Sequence, residues 1–230
     1  MLTLQSQKNV RHQETGCHLC DQPLQQHESF CCKPCTSHIT GSEHCQRCGL
    51  PATGNPLQCG ECISLPPTWQ TLTALGHYQF PLDQLIKRYK YQHQPWLAKP
   101  LARMLADKIT APAEMLIPVP MHWRRRLQRG YNQSTLLAQA LGQVLQIPVN
   151  ANVLKRQRHT APQQSLDKKA RLTNLKRAFR LHCSTGIAKH VAIVDDVVTT
   201  GTTANQLAGL LHEAGAQRVD VYCLSRTPAQ

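Results

Sequence analysis

The stretch His190-Val-Ala-Ile-Val-Asp-Asp-Val-Val-Thr-Thr-Gly-Thr-Thr203 constrains this chain more than any other. Four apolar residues, Val191 to Val194, predict a buried parallel strand. Two adjacent carboxylates, Asp195 and Asp196, close that strand, and a Thr/Gly turn leads into a helix expected to begin near Thr203. Paired carboxylates at the end of a buried strand are costly without a ligand or a counter-charge. The turn amides and the helix N-terminus suit a phosphate, and the threonine hydroxyls add donors. The carboxylates only accept, which suits ribose hydroxyls or a hydrated Mg2+. The plain alternative, a strand-to-helix connection with a threonine N-cap, leaves the acid pair unexplained.

This pattern resembles the 5-phosphoribosyl-1-pyrophosphate (PRPP) loop of type I phosphoribosyltransferases. The resemblance implies that Asp195 and Asp196 hold the ribose hydroxyls and act at the reacting centre. It implies that Thr199, Thr200, Gly201, Thr202 and Thr203 wrap the 5′-phosphate, with Mg2+ accompanying PRPP.

A second signal lies at the other end. Nine of eleven cysteines precede residue 63, and eight form C-x-x-C pairs: Cys17/Cys20, Cys32/Cys35, Cys45/Cys48 and Cys59/Cys62. A C-x-x-C knuckle places two thiolates on one side of a tight turn, and two knuckles complete a tetrahedral Zn2+ site. Two structural zinc ions are therefore expected, with a short ribbon hairpin between knuckles. Sequential pairing is the simplest scheme; a crossed scheme, with the first and third pairs sharing a metal, fits the spacing too. Cys31 is a spare thiol or a substitute for Cys32, and His18, His38 and His44 read as groups around the metal sites. A dithiol redox enzyme needs one such pair and not four. So short a segment has few apolar residues, so metal supplies much of its folding energy.

Charge separates the two ends. The chain carries 26 Lys+Arg against 13 Asp+Glu, a formal +13. Between Met121 and His190 there are fourteen Lys/Arg and one acid, Asp167, whereas the first 62 residues hold four Lys/Arg and five acids. Eight thiolates around two Zn2+ add about four negative charges to that head. The head therefore suits protein docking or scaffolding, and the basic middle suits phosphate-rich partners. No apolar run is long enough for a membrane span and no signal peptide is recognisable, so a cytoplasmic location is expected; cysteines there favour metal over disulfides.

The body alternates in period. Strands are predicted over Thr71–Tyr78, Met115–Val119, Val191–Val194 and Arg218–Leu224. Helices are predicted over Leu82–Tyr91, Trp96–Ile109, Ser134–Leu145 and Ala204–Ala214, with another from Leu166; Gly215 fits a helix C-cap, and Cys183 and Cys223 read as core thiols. Such alternation predicts an α/β domain with a parallel sheet, whose ligands gather at the C-terminal strand ends. Pro66-Pro67 marks a linker, which divides the chain into a small Cys-rich zinc-ribbon domain, residues 1–66 with a polar, disordered tail before Cys17, and a phosphoribosyltransferase-like domain, residues 67–230.

Two further stretches add identity: Pro118-Val-Pro-Met-His-Trp-Arg-Arg-Arg-Leu-Gln-Arg-Gly-Tyr-Asn-Gln-Ser134, and Arg156-Gln-Arg-His-Thr-Ala-Pro-Gln163 continuing to Arg171, Asn174, Ala178 and Phe179. With the phosphate loop and the cysteine pairs, they resemble the ComF family, in its GntX-like branch, from Cys17 to Arg226. Family motif positions are present at Arg124, Arg125, Arg129, Gly130, Asn132 and Gln133. The resemblance implies a zinc-ribbon head on a phosphoribosyltransferase-type body. It also implies a role with imported DNA, in natural transformation or in use of DNA as a nutrient, with DNA-uptake or recombination proteins as partners of the head.

In that fold the loop after the Pro118–Pro120 strand end faces the pyrophosphate, so some of its arginines, Arg124 among them, are assigned to PRPP and others to the outer surface; guanidinium forks suit phosphate oxygens. His122, Trp123 and Tyr131 interleave aromatics with charge, a mixture suited to single-stranded nucleic acid. The candidate contacts to DNA are Arg124, Arg125, Arg126, Arg129, Arg156, Arg158, Lys168, Lys169 and Arg171. Lys155 to Arg180 holds nine Lys/Arg and reads as a lid, a DNA clamp or both. Three functions follow: a DNA-handling protein with a PRPP site, a transferase moving ribose 5-phosphate to a nucleobase, and a zinc-ribbon adaptor with a relic site. The intact acid pair and threonine turn argue against the relic.

Overall fold

The computed structural model describes residues 16–40, 44–52, 57–123, 127, 129–156, 178–182 and 186–227. The expected N-terminal tail, the helix from Leu166 and Cys183 lie outside them.

The body is built on four parallel strands, β1 (Leu72–His77), β2 (Met115–Pro118), β5 (His190–Val198) and β6 (Arg218–Arg226), in the order β1-β6-β5-β2. Between β2 and β5 the chain forms an antiparallel pair, β3 (Leu154–Arg156) with β4 (Phe179–Leu181). The Val191–Val194 run is buried on both faces, as a central parallel strand requires. Ala192 and Val194 pack in one core with Leu82, Leu85, Leu101 and Leu137. Those residues belong to α3 (Leu82–Tyr91), α4 (Ala98–Ala106) and α5 (Gln133–Leu145). Val191 and Ile193 pack in the opposite core with Leu207 and Leu211 of α6 (Thr202–Glu213). The result is an α/β layered domain, as the alternating periods predict.

Two boundaries differ from expectation for physical reasons. The helix expected over Trp96–Ile109 opens as a 3-10 turn, Pro95–Leu97, and α4 stops at Ala106. Pro100 sits in the first turn of α4, where no amide is needed, so the α-helix restarts just before it. More consequentially, β5 does not end at Val194. Its pairing with β6 continues to Val198↔Arg226, so Asp195 and Asp196 lie inside an extended strand rather than after it. The neighbouring β6, also nine residues, supplies the partners that hold the acid pair extended.

The Cys-rich head repeats one unit twice. Cys17–Cys20 and Cys45–Cys48 sit in turns closed by the bridges Gly16↔Pro23 and His44↔Pro51. The second pair of each unit is not a knuckle but a helix start: Cys32 and Cys35 at α1 (Lys33–Thr40), and Cys59 as N-cap of α2 (Gly60–Ser64), which contains Cys62. Among the described residues the head has single bridges in place of the expected hairpins. No described helix is long and apolar enough to cross a membrane.

Candidate functional site

Asp195 and Asp196 project where the C-terminal half of β5 meets α3 and α5. Asp196, 9% exposed, is paired with Lys90 near the end of α3, with Nζ 2.8 Å from Oδ1. Asp195 Oδ1 accepts from Ser134 Oγ of α5 and from the Asp196 amide, both at 2.9 Å. Burial, and then the neighbouring Asp196 charge, push the Asp195 carboxyl up to about 7, against the pull of those donors and of Lys90. Among the described residues Lys90 is the cation paired with the two acids, and such a pair suits a further positive or donor-rich group.

Why Lys90 reaches the acids is set by the motif before α5. Tyr89 Oη donates to the Gln133 carbonyl at 2.7 Å, and Tyr131 Oη donates to the Tyr89 carbonyl. Gln133, fully buried, extends Nε2 to the Lys90 carbonyl at 3.4 Å. Asn132 caps α5 by accepting from the Ser134 amide at 3.1 Å, and its Nδ2 donates to the Val119 carbonyl at 3.0 Å. The motif thus ties the end of β2, the start of α5 and the end of α3 around the acids. Sequence reasoning missed Lys90 and Ser134. Ser134 follows the motif by one residue and was within its signal. Lys90 carries none, because its role depends on α3 packing beside β5.

The threonine turn leaves β5 at Val198. Thr199 and Thr200 are exposed, and Thr202 and Thr203 are half-buried in the first turn of α6. Gly201, its N-cap, takes φ +76, which glycine adopts without strain. The glycine N-cap offers no side chain to this helix, and the Thr202 amide reaches Thr200 Oγ1 at 3.4 Å. Thr200 and Thr202 hydroxyls lie 2.9 Å apart.

Of the predicted DNA contacts, Arg124, Arg125, Arg126, Arg158, Lys168, Lys169 and Arg171 lie outside the described residues. Arg129 lies over the Tyr91 ring at 5.0 Å, with Nη1 donating to Gln133 Oε1 at 3.5 Å. Arg156 lies over the Phe179 ring at 5.3 Å. Arg156, Lys155, Trp123, Asn132 and Gln139 line a cavity of about 550 Å³ beside the start of α5. Trp123 is 59% exposed there, with its ring 5.7 Å from that of His122.

The eight paired thiols form two groups, Cys17/Cys20/Cys32/Cys35 and Cys45/Cys48/Cys59/Cys62, each with sulfurs within 4.8 Å of one another. Pairing is sequential, and the crossed scheme is excluded. The Cys20–Cys32 and Cys48–Cys59 sulfurs lie 3.6 and 3.8 Å apart, close to the edge of a sulfur tetrahedron around a metal with bonds of about 2.3 Å. Both groups fit a tetrahedral ion. Cys17 is lowered to about 6 and Cys45 to about 7: burial opposes ionisation, and several backbone donors outweigh it. Cys31 is buried outside the first group, and desolvation pushes its thiol far up.

Fold, acid pair and thiol groups define a class: an α/β protein of the type I phosphoribosyltransferase fold with a Cys-rich head compatible with a zinc ribbon. The description "Phosphoribosyl transferase domain" matches residues 130–230. The chain is 38% identical over 206 residues to Competence protein F of Haemophilus influenzae, covering 85% of this chain and 90% of that one. It is 39% identical over 220 residues to DNA utilization protein YhgH of Shigella flexneri, covering 92% and 96%. Among solved structures, the glutamine PRPP amidotransferase of B. subtilis complexed with ADP and GMP is similar at TM-score 0.42 and 21% identity, over 59% of this chain and 30% of that one. The chain belongs to the ComF family.

Proposed function

We propose that this protein handles single-stranded DNA and binds PRPP, or a closely related pentose phosphate, at the end of β5. The observation that carries the reading is the acid pair, with Lys90 on Asp196, beside a helix start whose N-cap is a glycine. Asp195 and Asp196 take the ribose hydroxyls, with Mg2+ on the acid side, and Thr199 to Thr203 take the 5′-phosphate. Arg124 reaches the pyrophosphate in this reading. Two zinc ions sit in the thiol groups, and the domains divide at residues 66 and 67. The printed names of the relatives, a competence protein and a DNA utilization protein, support DNA as the partner. The groove of Trp123, Lys155 and Arg156 supports a single strand, since an open indole stacks on any base and cations pair phosphates. The other basic residues assigned to DNA pair phosphates of the same strand in this reading. DNA-uptake or recombination proteins meet the head, in the cytoplasm.

Titration calorimetry with PRPP and Mg2+ tests the site. Binding is expected in the wild type, with loss in Asp195→Asn/Asp196→Asn while the fold is retained. Unaltered binding in that variant overturns the assignment. For DNA, affinity for an oligothymidylate should fall by about 0.7 log units per phosphate contact for each log of salt. A salt-insensitive or absent interaction removes the DNA half of the reading.

A further inference from the structure

The second thiol group is joined to the threonine turn by two side chains, and we propose that Trp69 and Arg226 are positioning residues through which this group sets the phosphate-binding turn. The inference rests on the phosphate reading of Thr199–Thr203.

Three consecutive carbonyls of the Cys45–Cys48 turn bond to the body. The Gln46 carbonyl accepts from the Leu72 amide at 2.9 Å. The Arg47 carbonyl accepts from Trp69 Nε1 at 2.7 Å, and the Cys48 carbonyl accepts from Arg226 Nε at 2.8 Å. Both side chains are nearly dry, Trp69 at 3% and Arg226 at 4% exposure. Each ends at the turn. Arg226 Nη1 donates to the carbonyl of Val198, the residue before Thr199, at 3.3 Å. The Trp69 ring lies directly beneath Gly201: a Cβ there would stand 2.7 Å from Trp69 Cη2. The linker adds a third tie, as the Thr68 amide donates to Asn205 Oδ1, in the first turn of α6, at 2.7 Å.

The direction of those three carbonyls follows from the shape of the knuckle, which its own sulfur ligation fixes. Cys45 Sγ already accepts from the Cys59 amide at 3.3 Å, and the Gly49 amide bonds back to the Cys45 carbonyl at 2.8 Å. A metal on Cys45, Cys48, Cys59 and Cys62 therefore holds the floor and the entry of the turn. The first thiol group makes no such contact among the described residues. It meets α3 through Arg88 Nη1 on the His18 carbonyl at 2.8 Å, and the 3-10 turn through the His18–Trp96 ring contact at 5.1 Å. The two groups are alike in chemistry and different in what they support.

Coupling of this kind is reciprocal: whatever metal gives to ligand binding, ligand returns to metal retention. The test uses the zinc-loaded full chain, PRPP with Mg2+, ribose 5-phosphate, and a chromogenic chelator. In the wild type, ligand should slow zinc release from one of the two sites and leave the other unchanged. Trp69→Phe deletes the donor and, being shorter, withdraws the ring atoms that lie under Gly201; Arg226→Met deletes the second tie. Each should weaken PRPP binding by about fivefold to tenfold, the scale of one hydrogen bond, with two zinc ions still bound and the slowing diminished. Amide exchange over residues 199–203 should rise in Cys59→Ser and stay unchanged in Cys20→Ser, from the first group. Wild-type affinity in both variants, or equal exchange in the two cysteine variants, overturns the proposal. If the wild type binds neither ligand, the phosphate reading fails, and amide exchange still decides whether the knuckle sets the turn.

Discussion

Replacing Asp195 with asparagine should change how stability depends on pH. The carboxyl moves from an ordinary 3.8 to about 7, driven by burial and then by Asp196. The folded chain therefore holds this proton more tightly than the unfolded chain. Stability from that proton is complete below the unfolded value and is lost as pH rises through about 7. Between pH 6 and pH 8 the wild type should lose about 1.4 kcal/mol from this group alone. Asparagine keeps an acceptor for Ser134 Oγ and the Asp196 amide but has no proton to lose. The assay is urea unfolding of both proteins, zinc-saturated, at pH 6 and pH 8, where thiolate ligation persists. The difference in unfolding free energy, variant minus wild type, should grow by about 1.4 kcal/mol across the interval, or about 3–6 °C in Tm. Parallel pH profiles would refute the idea that this carboxyl is held protonated by its surroundings.

Lys90→Met should destabilise by about 3 kcal/mol, because it strands Asp196 in a mostly buried site; adding Asp196→Asn should recover most of that in a double-mutant cycle read by denaturant melts. Gly201→Ala combines a left-handed φ with a collision against Trp69, so a loss of about 2 kcal/mol and weaker PRPP binding are expected by melting and calorimetry. Exhaustive chelation should release two zinc ions per chain, counted colorimetrically, and expose the head to proteolysis; one ion or none would contradict two tetrahedral groups. Arg156→Gln should lower the salt slope of oligothymidylate binding by about 0.7, whereas Trp123→Ala should weaken binding at every salt concentration and leave the slope unchanged.

The periodic and chemical signals were legible without coordinates. The apolar run Val191–Val194, short and largely β-branched, reads as a buried parallel strand, and the structure places it in the middle of the sheet. The C-x-x-C spacing announced two four-thiol groups, and the motif around Asn132 was visible before its purpose was. What the chain could not announce were facts that depend on distant segments meeting. Sequential and crossed cysteine pairing have the same local spacing and differ only in which turns pack together. The length of β5 was set by its neighbour β6, because a strand continues as long as a partner offers hydrogen bonds. Lys90, the cation on Asp196, lies on a helix remote in sequence, and the indole beneath Gly201 comes from the segment just after the linker. Local chemistry is written in residue type and spacing, whereas proximity across the fold is decided by which apolar faces bury one another, and only the packed structure holds that information.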